Sequence, residues 1–218
     1  MKKIIIIGAG AHSAEIAGLI YDNNKHVGEE EKLIIKGYLD DRDENWHRYK
    51  FKEPLLNNLA DYIPEADDLF ILGVSNVVSR KSCLVKLKNK ELNYFNFIHY
   101  TAIVYETAQM GYGNVICCFS KIGPNAIIGN LNSINSKTEI GHDCIIGSNN
   151  VFAGNVGIAG FSLVGNDNFF GMNSSVIPER IIGSGNTIQA GVVVDRNIED
   201  DSYFFHRFKE KVLAMPKK

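Results

Sequence analysis

The chain has 218 residues, 45% hydrophobic and 22% charged, with a formal net charge of -2. That length can bury one large core or two small ones, and the near-neutral balance gives no broad electrostatic reason to expect nucleic acid or an anionic membrane as partner. The four cysteines, Cys83, Cys117, Cys118 and Cys144, form no CxxC pair and match no zinc spacing, so they read as structural thiols in a reducing compartment.

The first element is MKKIIIIGAGAHSAEIAGLI. Two lysines before an apolar run imitate a secretory leader. The run Ile4–Ile7 stops after four residues at a glycine-rich turn, too short for a leader core or a membrane span. It reads as a buried strand over Lys3–Ile7, and the expected location is the cytoplasm. The loop GAGAHS and a helix from Ser13 to Asn23 follow. Lys32–Leu39 reads as a strand ending in Asp40–Asp41, and the polar stretch 42–55 as an irregular loop. Leu69–Val74 reads as a strand ending in Gly73-Val74-Ser75, with a helix over Val77–Lys88 behind it. This β-α-β-β-α-β order predicts an α/β, Rossmann-like domain over residues 1–97.

Open α/β sheets bind ligands at strand carboxyl ends beside a helix N-terminus, where unpaired N–H groups suit a diphosphate. Gly8-Ala9-Gly10-Ala11-His12-Ser13 occupies that place, although Ser13 stands where a dinucleotide fingerprint has its third glycine. A carboxylate at Asp40–Asp41 can hold ribose hydroxyls or a base edge. With Gly73 and Ser75 these residues favour a nucleotide-type ligand. Plain turns without a ligand are the alternative.

From residue 98 every sixth position is large and apolar: Ile98, Val104, Met110, Ile116 and onward through Ile140, Phe152 and Phe170 to Val194. All 17 positions obey, against odds on the order of one in a million at this composition. The next residue is often glycine (Gly111, Gly123, Gly129, Gly141, Gly147, Gly165, Gly171, Gly183). Four residues on, small or short polar side chains dominate, such as Ala102, Asn114, Ser120, Asn132 and Thr138. A period of six suits a short flat strand, a corner and a repeat. Three sides close a coil of 18 residues, and coils stack as parallel sheet at about 4.8 Å. Residues 98–195 are therefore expected to form a left-handed parallel β-helix roughly 26 Å long. Glycine and asparagine supply the positive φ angles that tight corners require. Phe152 should lie over Ile134 and under Phe170. An open coil is a bare sheet edge, so residues 196–218 should cap it, with helical spacing over Tyr203–Met215.

His142, in the hexad IGHDCI with Asp143 beside it, is not needed for the prism core. Imidazole titrates near neutrality, and the carboxylate next to it can orient the ring. His99 and His206 read as structural or solvent-facing, and His26 and His47 lie in polar segments. Zinc needs three protein ligands, and only His99 and His142 lie in the repeat, so no metal site is expected.

The hexads resemble those of left-handed β-helix acyltransferases. MKKIIIIGAGAHSAEI, GYLDD, FILGVSN and INSKTEIGHDCIIG, in that order, resemble bacterial sugar acetyltransferases of the sialic-acid O-acetyltransferase and nucleotide-sugar (bacillosamine, perosamine) N-acetyltransferase type. The resemblance spans the chain to about Val194. It implies a homotrimer that takes acetyl-CoA between neighbouring prisms, and a nucleotide-linked amino sugar in the N-terminal domain. It further implies that Gly10, Ala11, His12, Asp40, Asp41 and Gly73 contact the sugar nucleotide. His142 would be the general base supported by Asp143, and Gly160, Met172 and Ala190 would contact acetyl-CoA. The chain departs from the family at Val151, where a second histidine often stands, and at SYFFHRFKEKV, where a Gly-x-Pro-Ala segment is common. Sugar O-acetylation and a β-helix binding protein without turnover are the competing readings. A nicotinamide oxidoreductase fits poorly, because 97 residues leave little room and the fingerprint is incomplete.

Overall fold

The computed structural model describes residues 1–206. The N-terminal domain is a five-stranded parallel sheet formed by β1 (Lys2–Ile7), β2 (Leu33–Leu39), β3 (Leu55–Asn57), β4 (Asp68–Leu72) and β5 (Asn93–Tyr94). Their order across the sheet is β3-β2-β1-β4-β5. Helices α1 (Ala11–Asn23), α2 (Glu44–Tyr49) and α3 (Val77–Leu87) complete it. The isoleucine run of β1 has a simple cause. Ile4 and Ile6 join the core on one face of the sheet, and Ile5 and Ile7 join the core on the other. A central parallel strand is covered on both sides and so is apolar throughout.

The stretch 42–55, expected to be an irregular loop, contains α2 and the start of β3. Helix α2 buries none of its residues and so leaves no apolar period to read. It is held from outside itself: the Trp46 indole donates to the Glu53 carbonyl at 3.0 Å. Lys50 ends it in the left-handed conformation, at φ 50°.

From Phe97 the chain forms a left-handed parallel β-helix of two-residue strands on three faces. The first face carries the strands that begin at Phe97, Val115, Ser133, Val151, Phe169 and Thr187. The second carries those that begin at Ile103, Lys121, Glu139, Gly157, Ser175 and Val193. The third carries those that begin at Gln109, Ile127, Ile145, Leu163 and Ile181. Partners are 18 residues apart, so Ile134 pairs with Phe152 and Phe152 with Phe170, whose rings stack at 4.8 Å. The inward column is buried from Ile116 onward. Ile98 is 40% exposed because it lies in the first coil, where no coil precedes it.

Two columns turn the corners by different physics. The glycines that follow the inward residue do not supply positive φ, with none of the eight in that conformation. They permit close stacking of coils. A Cβ on Gly123 would sit 2.7 Å from the Gly141 carbonyl carbon, and one on Gly171 would sit 2.4 Å from the Ala190 nitrogen. Positive φ falls two residues later, at Gly113, Gly185 and Gly191, at Asn125, Asp143, Asn149, Asn155, Asp167 and Asn173, and also at Phe119, Leu131, Lys137, Phe161 and Glu179, so glycine and asparagine do serve the corners, but from this column. Asparagine and aspartate tolerate this region, whereas bulky residues there are strained.

The small polar column is a second buried column. Asn114, Asn132, Asn150, Asn168 and Asn186 stack one per coil. Each amide from Asn114 to Asn168 donates to a glycine carbonyl 15 residues on, as Asn150 does to Gly165 at 2.9 Å. The ladder satisfies corner carbonyls that would otherwise be buried unpaired.

The prism continues past Val194 on a coil shortened by two residues. Ile198 bridges Ile182, and Tyr203–Phe204 pairs in parallel with Thr187–Ile188, 16 residues back. The helix expected over Tyr203–Met215 therefore begins as strand at Tyr203–Phe204, and residues 207–218 lie outside the described residues. The alternation of Tyr203–Phe204 suits the prism, and pairing with an open edge outweighs the helical period. The Asn186 amide nitrogen, in the coil before this shortened one, has no partner among the described residues. No helix among the described residues is long and apolar enough to cross a membrane.

The first face of the prism is covered by the α/β domain. Val115 and Cys117 pack in one core with Ile16, Ala17 and Ile20 of α1. The His12 Nε2 and Ser133 Oγ lie 2.9 Å apart across the junction.

Candidate active site

Two concavities carry chemistry. The first is a cleft of about 470 Å³ over the carboxyl ends of β1, β2 and β4. The second is a groove of about 340 Å³ on the second face of the prism.

The cleft gathers Gly10, Ala11, His12, Asp40, Asp41 and Gly73, all named from the sequence. No side chain caps the N-terminus of α1, so its first-turn N–H groups stay available to an anion. Gly8, at φ +96°, makes the tight turn, and a Cβ there would meet Val74 Cγ2 at 2.7 Å. Ser13, the departure from the glycine fingerprint, has a structural cause. Its hydroxyl lies 2.7 Å from the Gly8 carbonyl and 2.9 Å from the Gly73 carbonyl, tying the two loops together.

The carboxylates are less free than the sequence suggests. Asp40 accepts from the Ala9 N–H at 2.8 Å and the Arg42 N–H at 3.2 Å, so it shapes the loop. Asp41 accepts from the Leu59 N–H at 3.1 Å and pairs with Lys86. Burial pushes its carboxyl up, but the Lys86 and Leu59 hydrogen bonds outweigh that and hold it below the usual carboxylate range. His12 is buried, with Nδ1 3.1 Å from Glu15 Oε2 and Nε2 on Ser133, so both ring nitrogens are engaged within the protein. Sequence reasoning missed Arg42, Asn76, Ser79, Ser82 and Lys86, which also line the cleft. The polar spacing of Ser79, Ser82 and Lys86 along α3 was the available signal.

The groove lies beside the corner between the second and third faces. It is lined by Glu139, Gly141, His142, Gly157–Gly160, Ser175 and Val176. His142 is half exposed, and its Nδ1 lies 2.8 Å from Asp143 Oδ2. The other Asp143 oxygen accepts from the Asn125 amide at 3.1 Å, one coil earlier. Hydrogen bonds from His142 first and Asn125 second hold the Asp143 carboxyl below its usual range. A carboxylate at Nδ1 favours the tautomer whose Nε2 lone pair is free. Asn125 was not read from the sequence, because only the 18-residue coil brings it beside Asp143.

Gly160 lies one coil beyond His142. A Cβ there would stand 2.6 Å from both Cε1 and Nε2 of the imidazole. Gly160→Ala should therefore displace the ring and lower turnover on the order of 100-fold, with little change in melting temperature. Steady-state kinetics beside a thermal melt checks this. Met172 and Ala190 lie at the opposite corner of the same face, between the first and second faces. Val151, at the place of the family's second histidine, is buried on the first face. His99 is buried, with Nδ1 2.8 Å from Thr101 Oγ1, and His206 is exposed. Among the described residues no group of three or more His, Cys, Asp or Glu side chains is placed to hold a metal ion.

An α/β cap with a polar cleft, joined to a prism that presents a carboxylate-bound imidazole, places the chain in the hexapeptide-repeat, left-handed β-helix class. Residues 3–87 match the family model of the PglD N-terminal domain. No curated protein matches the whole sequence significantly. The acetyltransferase domain of PglB from Neisseria gonorrhoeae FA1090, in complex with acetyl coenzyme A, aligns at 20% identity and a TM-score of 0.77 over 93% of this chain and 95% of that one. PerB from Caulobacter crescentus, in complex with CoA and GDP-perosamine, aligns at 22% identity and 0.77 over 92% of each chain. WeeI from Acinetobacter baumannii AYE aligns at 18% identity and 0.54 over 89% of this chain and 95% of that one. These structures share the fold across both domains.

Proposed function

We propose that the protein is an acetyl-CoA-dependent N-acetyltransferase that acts on a nucleotide-linked amino sugar in bacterial surface glycan biosynthesis. The observation that carries this is the His142–Asp143 pair standing over a groove floored by small residues. In the reaction the sugar amine attacks the thioester carbonyl carbon. The C–N bond forms, the C–S bond breaks, and the CoA thiolate leaves. His142 Nε2 takes the amine proton and returns it to the thiolate, so no covalent enzyme intermediate is needed. Backbone N–H groups of neighbouring coils are available to the oxyanion.

Gly160 borders the second face on one side, and Met172 and Ala190 border it on the other. This supports a donor laid across that face, over Gly157 and Ser175. The cleft, with unpaired α1 N–H groups and the cations Arg42 and Lys86, suits the diphosphate of the acceptor. The third face carries an outward stripe, Ile127, Ile145, Leu163 and Ile181, all between 40% and 51% exposed. An apolar stripe along a flat sheet beside the His142 corner supports a closed homotrimer, with each donor groove walled by a neighbouring prism.

A thermal-shift series tests the reading. At a hundredfold excess over Kd a nucleotide sugar adds about 2.7 kcal/mol, which is roughly 5–10 °C for a chain of this size. CoA thiol should appear only when donor and aminated acceptor are both present. Acetylation of a free sugar hydroxyl, without stabilisation by any nucleoside diphosphate, would move the assignment to a sialic-acid type O-acetyltransferase. Tight acetyl-CoA binding without turnover of any acceptor would leave a binding protein.

A further inference from the structure

Phe161 is poorly placed by every local rule. Its φ is 62°, in the left-handed region, where a bulky non-glycine residue is strained. The two coils before it place Asn125 and Asp143 at the same corner position, residues that tolerate this conformation. Its side chain is 54% exposed, so burial does not explain it either. What its ring does touch is the imidazole of His142. The centroids are 5.0 Å apart and the planes lie at 87°. The Phe161 N–H also donates to the His142 carbonyl at 3.1 Å.

The imidazole is thus held on three sides. Asp143 takes Nδ1, the Gly160 backbone lies against the Cε1–Nε2 edge, and the Phe161 ring stands across it. Without the aromatic contact, only Asp143 and the Gly160 backbone hold this half-exposed ring.

We propose that Phe161 is a positioning residue: its strained backbone presents an exposed ring that fixes the His142 imidazole over the groove. The proposal rests on His142 being the base. A T-shaped aromatic contact favours one ring orientation by roughly 2- to 10-fold, and turnover should follow that population.

Phe161→Gly removes the ring and relieves the φ strain together, so its effects on stability and turnover should part. Phe119→Gly is the control. Phe119 has φ 58° and 64% exposure but lies at the corner between the first and second faces. Both variants should melt at or above the parent temperature. Phe161→Gly should lower kcat two- to tenfold with KM for both substrates unchanged, and Phe161→Tyr should restore it. Phe119→Gly should keep the parent kcat. Nitrogen-15 NMR of the full-length protein should show the His142 ring resonances shifted or broadened in Phe161→Gly alone. Unchanged kcat with unchanged His142 resonances overturns the proposal. A fall in kcat together with a smaller assembly in sedimentation also overturns it, because Phe161 would then be a contact between copies. If His142→Ala keeps its turnover while the His142 resonances still respond to Phe161→Gly, the positioning stands and the base assignment fails.

Discussion

Replacement of His142 by alanine is expected to lower kcat for acetyl transfer by about 10²–10⁴-fold, the range that general base catalysis contributes. The melting temperature should hardly change, since the side chain is half exposed and outside the prism core. Binding of donor and acceptor should persist, so KM should move little while kcat collapses. The pH dependence follows from the pair. The Asp143 carboxyl is held below its usual range by His142 and Asn125, so it is ionised at neutral and mildly acid pH. Its support of the ring is present above the ordinary carboxylate range and is lost only as pH falls through the lowered value. Any loss of rate that comes from Asp143 therefore lies below the ordinary carboxylate range. Release of CoA thiol, followed from pH 5 to 9 for both proteins, checks the size and the shape together. An unchanged rate would remove His142 from the chemistry.

The β-helix was legible because each coil obeys one rule: a large apolar residue every sixth position fills the prism interior. His142 was legible by the same rule, as a residue the core did not need. What the repeat hid is whatever depends on coil-to-coil stacking. Asn125 is 18 residues before Asp143, and no local pattern links them. The glycines that follow the inward residue looked chosen for φ, but they are chosen for the missing Cβ, a distinction that only the distance to the next coil can make, whereas Gly113, Gly185 and Gly191 at the corners do take positive φ. In the α/β domain the loop and strand ends of the cleft were visible. The partners that already occupy Asp40, Asp41 and His12 were not, because each comes from a different element. The strand at Tyr203–Phe204 was read as helix because its pairing partner lies 16 residues back, out of the 18-residue step.

Arg80 was invisible for the same reason, and its loss should have the largest effect on stability. It lies on α3, is 1% exposed, and reaches across the junction to the corner between the third and first faces. Its Nε donates to Asn149 Oδ1 at 2.8 Å, one terminal nitrogen to the Val74 carbonyl at 2.5 Å, and the other to the Leu131 carbonyl. Burial pulls its pKa down to about 10, so it is still charged at neutral pH. Asn149 in turn donates to Asp167 at 2.7 Å, and Asp167 pairs with Lys81 at 3.0 Å, so the Asn149 amide links Arg80 to that ion pair. Arg80→Ala removes these bonds, strands two carbonyls that water cannot easily reach, and leaves a cavity. The expected loss is about 3–5 kcal/mol, or roughly 6–20 °C in the melting temperature. Arg80→Met keeps the packing but not the donors and should fall between parent and alanine. Because α3 also carries Ser79, Ser82 and Lys86 of the cleft, a loosened junction should weaken the acceptor far more than the donor. Calorimetry should then show the α/β domain melting ahead of the β-helix, with acceptor KM raised and acetyl-CoA KM unchanged. A single transition at the parent temperature would mean that the apolar contact of Val115 and Cys117 with α1 holds the two domains together without Arg80.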